Sequence, residues 1–170
     1  MTEAARAALT RYGLAAAQLE PITVGLINQT WRVAATGGER FVLQRVNPIF
    51  TAAVNDDIEA ITVRVAQHGV LTPRLVHTVS GERCAQQPDG VYRLLTFIDG
   101  EVVSTLSEPA RAASVARLVA RFHAALDGFE HRFAFTRPGP HDTLRHLAFL
   151  KTTLAEHAAH PRFADVQPVA

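Results

Sequence analysis

The sequence predicts an α+β chain, with an antiparallel sheet and one long helix up to about residue 100 and a helical segment after it. Three observations carry that expectation. Gly37–Gly38 sits between two runs of strand composition, ITVGLINQTWRVAA and FVLQRV, as a hairpin turn would. After the Asn47–Pro48 stop, Val54, Ile58, Ile61 and Val65 recur on one helical face. From Glu108 the pattern turns uniformly helical, with Val115, Leu118, Val119, Phe122 and Leu126 aligned.

In order, residues 2–18 read as an alanine-rich helix closed by Pro21. Three strands in a meander follow between residues 21 and 46. A helix is expected over 51–68, capped by Gly69. PRLVHTV is the fourth strand, SGERCAQQPDG a polar turn region, and GVYRLLTFI a fifth strand that leaves the sheet at Asp99–Gly100. SEPARAASVARLVARFHAAL and DTLRHLAFLKTTLAEHAAH are helices joined by FEHRFAFTRPGP. The composition shift divides the chain into 1–100 and 101–170.

Composition limits the function. A net charge of +1 across 170 residues offers no electrostatic argument for nucleic acid or an anionic membrane. No run approaches a membrane span, and the first residues lack the apolar core of a secretion signal, so a cytoplasmic protein is expected. Cys84 is the only cysteine, which excludes a disulfide framework or a thiolate metal cluster within the chain. The scattered histidines lack cysteine or carboxylate company and do not read as a metal site. Lys151 is the only lysine.

Certain segments, in this order, resemble a known family. GLINQTWRV is similar to a nucleotide loop, HGVLTPRLV to a link from helix to fourth strand, YRLLTFIDGEVV to a fifth strand and hinge, and ARLVARFHAAL to a first large-lobe helix. Together they resemble the aminoglycoside phosphotransferase and choline kinase superfamily, which has a protein-kinase-like fold. LINQTWRV, FVLQRVNPIF and PGPHDTLRHL are most similar to its N-acetylhexosamine 1-kinase branch. The resemblance implies a kinase-like small lobe, a five-stranded antiparallel sheet with one long helix, followed by the first helices of a truncated large lobe.

It also implies a nucleotide site, with ATP and Mg2+ as cofactors and a small hydroxyl-bearing substrate, a sugar first. The turn from Gly25 to Thr30 would lie over the phosphates. Gly25 would permit close backbone approach, while Asn28, Gln29 and Thr30 would offer polar groups. Where kinases carry a lysine on the third strand, the resemblance places Arg45, which can supply charge and a bidentate fork. A one-residue shift would turn Gln44 inward instead, because strand faces alternate. Asp57, at the edge of the apolar stripe, is the expected carboxylate partner, with Glu59 as substitute. Thr96 C=O and Ile98 N–H would pair with a purine edge, and Leu43 and Phe97 would touch its ring.

One element of kinase chemistry is not in the chain. The catalytic loop needs an aspartate followed five positions later by an asparagine. Here asparagine occurs only at Asn28, Asn47 and Asn55, and the first aspartate is Asp56. The chain therefore reads as the front part of a phosphotransferase, inactive by itself. The alternative is a standalone nucleotide-binding or interaction module. The sequence leaves the acceptor, ATP against GTP, and the oligomeric state open.

Overall fold

A computed structural model describes residues 2–103, 105–137, 139 and 141–166. Its packing divides the chain into two units, residues 1–135 and 136–170. The first unit thus runs past the expected division at residue 100.

The first unit opens with α1 (Thr2–Thr10), a shorter helix than expected. Strand β1 (Gln18–Ile22) follows, so Pro21 lies inside a strand rather than closing the helix. The position is tolerable because β1 is an edge strand, where a missing N–H need break no ladder bond. β2 (Gln29–Ala34) and β3 (Arg40–Arg45) form the hairpin expected around the glycine pair. Only Gly38 has a positive φ there, of 95°. α2 (Val54–Gln67) ends at a turn in which Gly69 has a φ of 69°.

β4 (Leu75–Val76), β5 (Ala85–Gln87) and β6 (Gly90–Thr96) complete an all-antiparallel sheet of order β1-β2-β3-β6-β4, with β5 also paired to β6. The sheet has six strands rather than five. PRLVHTV keeps only two residues in the ladder, and the chain detours through 77–84 before Ala85–Gln87 rejoins the same edge of β6. The detour folds on itself through Thr78, whose N–H and hydroxyl bond to the backbone of Glu82 at 2.8 and 3.0 Å.

The strand pleat sets the sheet's two faces apart. Trp31, Val33, Leu43, Tyr92 and Leu94 point to one face, where Ala5, Ala8, Leu9 and Tyr12 of the α1 segment close over them. Tyr12 ties the layers, donating its hydroxyl to Tyr92 C=O at 2.9 Å and accepting from Ala85 N–H at 3.2 Å. Thr30, Val42, Gln44, Arg93 and Leu95 share the opposite face and stay only half-buried.

α3 (Pro109–Leu126) packs its end on α2, where Val65, Val70 and Ala125 form a small second core flanked by Ile61 and Leu126. Val115, Leu118, Val119 and Phe122 are exposed. The second unit holds α4 (Thr143–Glu156) and α5 (Phe163–Val166). Asp142 caps α4, its carboxylate accepting from Arg145 N–H at 2.9 Å. His157 is the C-terminal cap residue of α4.

Candidate nucleotide site

At the end of β6 the backbone bonds alternate between the two sides of the strand. Phe97 N–H donates to Arg40 C=O at 3.3 Å, which turns the peptide groups of Thr96 and Ile98 to the other side of the strand. On that side Thr96 N–H bonds to Arg74 C=O, while Arg74 N–H goes to the Thr96 hydroxyl, both at 2.9 Å. Among the described residues nothing donates to Thr96 C=O, and Ile98 N–H has no acceptor. One acceptor and one donor therefore stand side by side. Phe97 lies beneath two guanidinium groups, Arg40 at 4.8 Å and Arg32 at 5.7 Å.

The loop over residues 23–28 presents Val24 and Leu26 to solvent. Its far end is clasped to the corner after β3. Asn47 N–H donates to Asn28 Oδ1 at 3.0 Å, and Asn47 Nδ2 to Ile27 C=O at 3.1 Å. The side-chain oxygen of Asn28 is thus spent on backbone, while its Nδ2 has no described partner. Gly25 has neither a positive φ nor crowding. An added Cβ would find ordinary contacts, 3.4 Å to Asn28 O and 3.8 Å to Thr30 Oγ1.

Several expected site residues are not brought together. Leu43 is wholly buried beneath α1 and has no surface to offer a ring. Arg45 lies on the same face, two residues along the pleat. Its Nε donates to Asp89 C=O at 3.0 Å and pairs with the Asp89 carboxylate, and its Nη1 reaches Gln29 Oε1 at 3.4 Å. Gln29 and Arg45 are thus on the α1 side, whereas Thr30 and Gln44 face the other way. The reason is hydrophobic. Leu43 must point into the core, and a period of two then carries Arg45 with it and Gln44 away.

The carboxylates are engaged elsewhere too, so no Arg45–Asp57 pair forms. Asp57, 5% exposed, accepts from His131 Nε2 and Ala134 N–H at 2.8 Å and from Phe135 N–H at 2.9 Å. Burial pushes its pKa up, but those three hydrogen bonds outweigh burial and hold it below the ordinary carboxylate value. Glu59 bonds to His77 and Arg83, and these partners likewise lower its pKa against the effect of burial.

Arg93, which sequence reasoning passed over, stands in the half-buried face. Its Nε donates to Gln44 Oε1 at 2.8 Å, and the register aligns Thr30, Gln44 and Arg93 across three strands. The available signal was one charge inside the apolar run VYRLLTFI. His131 lies in the connector FEHRFAFTRPGP, where nothing local marks it. It stacks on Phe129 at 5.6 Å and meets Phe133 edge-on at 5.1 Å.

A family model described as the phosphotransferase enzyme family, APH, matches residues 18–169. The chain belongs to the phosphotransferase enzyme family. Solved structures agree on the fold. An aminoglycoside phosphotransferase from Alicyclobacillus acidocaldarius is 18% identical, with a TM-score of 0.55 over 95% of this chain and 53% of its own. The amicoumacin kinase hAmiN, solved in complex with AMP-PNP, Ca2+ and Ami, is 12% identical, with a TM-score of 0.60 over 85% of this chain and 49% of its own. This phosphotransferase-family chain therefore spans about half the length of each. Its sheet and α2 correspond to the kinase-like small lobe expected from the sequence. No described helix is long and apolar enough to cross a membrane. Among the described residues no group of three or more His, Cys, Asp or Glu could hold a metal ion.

Proposed function

We propose that this chain forms the nucleotide-holding part of an ATP-dependent small-molecule phosphotransferase. The observation that carries the reading is the division of the sheet. One face is sealed by α1, while the other stays half-open and leads to the unpaired carbonyl of Thr96 and amide of Ile98. Those two groups suit a purine edge, with Val42 and Leu95 on the same face for the ring and Phe97 at the hinge. Gly25 supports the reading as well. Nothing around it needs a glycine, so close approach of phosphate oxygens gives a reason for the missing side chain.

ATP as phosphoryl donor would supply the group that is transferred, and this chain's residues would bind and orient it. The residues present do not fit a magnesium site. All three asparagines precede the first aspartate, so no Asp-then-Asn loop exists to bind the metal or orient an acceptor hydroxyl. Turnover is therefore not expected from this chain by itself. The acceptor we favour is a sugar or amino sugar, from the resemblance of LINQTWRV and PGPHDTLRHL to the hexosamine kinase branch. Antibiotic acceptors are the second reading, favoured by the names of the two solved relatives.

The test is calorimetric titration of the purified chain with adenosine and with ATP, alongside an ADP-release assay on hexosamines. Both ligands should bind and no ADP should appear. Failure of both ligands to bind at millimolar concentration would sink the nucleotide reading, and ADP release would sink the expected inactivity.

A further inference from the structure

We propose that Arg93 on β6, held by Gln44, supplies the cation for the nucleotide's phosphates that β3 does not place on this face. The inference rests on the nucleotide reading above. Phosphoryl groups are bound chiefly by charge and by donors already in place. Arg32, Arg40, Arg45 and Arg83 are committed elsewhere. Arg32 pairs with Glu20 at 3.3 Å, and Arg40 with Asp99 at 2.6 Å. Arg45 is on the α1 side with Asp89, and Arg83 is held by Glu59 and Asp56.

Arg93 differs from them. Its one described hydrogen bond runs from Nε to Gln44, so both Nη groups, the end that grips oxyanions in pairs, are left over. No described carboxylate pairs with it, and neither Asp57 nor Glu59 of α2 is available. Burial, uncompensated by any acid, lowers its pKa from the usual guanidinium value, yet a guanidinium stays charged near neutral pH. A partly buried cation without a counter-ion is unfavourable until an anion arrives. Gln44 occupies the strand position beside it and orients the fork with a neutral acceptor, leaving the charge intact. Thr30, the third member of the row, adjoins the loop that would cover the phosphates.

The experiment compares ATP with adenosine by calorimetry on the full chain and on the variants Arg93→Met, Gln44→Glu and Arg45→Met. Wild type should bind ATP at least about tenfold more tightly than adenosine, the scale of one or two charge-assisted hydrogen bonds. Arg93→Met should erase that preference, and Gln44→Glu should do the same by giving Arg93 an internal counter-ion. Both should leave adenosine binding within about twofold, since the hinge is untouched. Arg45→Met should keep the preference.

Preference for ATP that survives Arg93→Met, or is lost only with Arg45→Met, overturns the assignment and leaves the nucleotide reading standing. Equal wild-type affinity for the two ligands does the same. A wild type that binds neither ligand overturns both. Should Arg93→Met fail to fold, Gln44→Glu decides alone: retained preference overturns the assignment.

Discussion

Asp57 shows how one buried carboxylate can serve structure where function was expected. Its two oxygens gather three donors from the connector after α3 and fasten that connector to α2. Removing it leaves those donors to water, so Asp57→Ala should cost about 1–3 kcal/mol by chemical denaturation. The pH dependence has a definite sign. Because the folded pKa is lowered, the stabilisation is complete above the ordinary carboxylate pKa and disappears as pH falls through the folded value. Thermal melts from about pH 6 down to pH 3 should fall more steeply for wild type than for Asp57→Asn. Parallel curves would refute this account of the residue.

Among the elements, β3 carries the most consequence. Leu43 is fully buried between Trp31, Leu94 and the α1 segment, and it fixes which way the strand faces. Leu43→Ala should cost about 2–5 kcal/mol. The anchoring of α1 should be worth less. Tyr12→Phe removes one donor and one acceptor but keeps the ring, so about 1–2 kcal/mol is expected. A melting temperature unchanged in Tyr12→Phe would mean that water replaces both bonds. The same facing explains why Gln44 rather than Arg45 shares a row with Thr30 and Arg93.

For the whole molecule, the balance of apolar surface matters most. Val115, Leu118 and Val119 of α3 are each more than 40% exposed, and Leu118, Val119 and Phe122 line a groove of about 240 Å3 with Val65, Val70 and Leu71. Contiguous apolar surface of this kind attracts hydrophobic dye. Dye fluorescence should therefore be measurable on the native chain and should fall by about half in the double variant Leu118→Glu, Phe122→Ser. The same double variant should also lose about 1–2 kcal/mol of stability, because Phe122, 37% exposed, still buries most of its ring. A native chain that binds no dye would show the groove to be closed in solution.

Local sequence pattern was enough for the class of the fold and for the order of all its elements up to α2. The hairpin turn, the stop at Asn47–Pro48, the stripe on α2 and the hinge run are local patterns whose spacing is set by helix and strand periodicity. It also determined that no Asp-then-Asn catalytic loop lies in this chain, which is a matter of residue order alone. The detour at 77–84 escaped because two short stretches on the edge of β6 look like a single strand and a turn. Which side chains face the half-open side was beyond local reading. Alternation gives two equivalent choices for β3, and α1, bonded to the sheet through Tyr12, selects one by covering Leu43. The fate of Asp57 was likewise a tertiary matter, since its partners lie more than 70 residues away and meet it only when α3 folds back on α2.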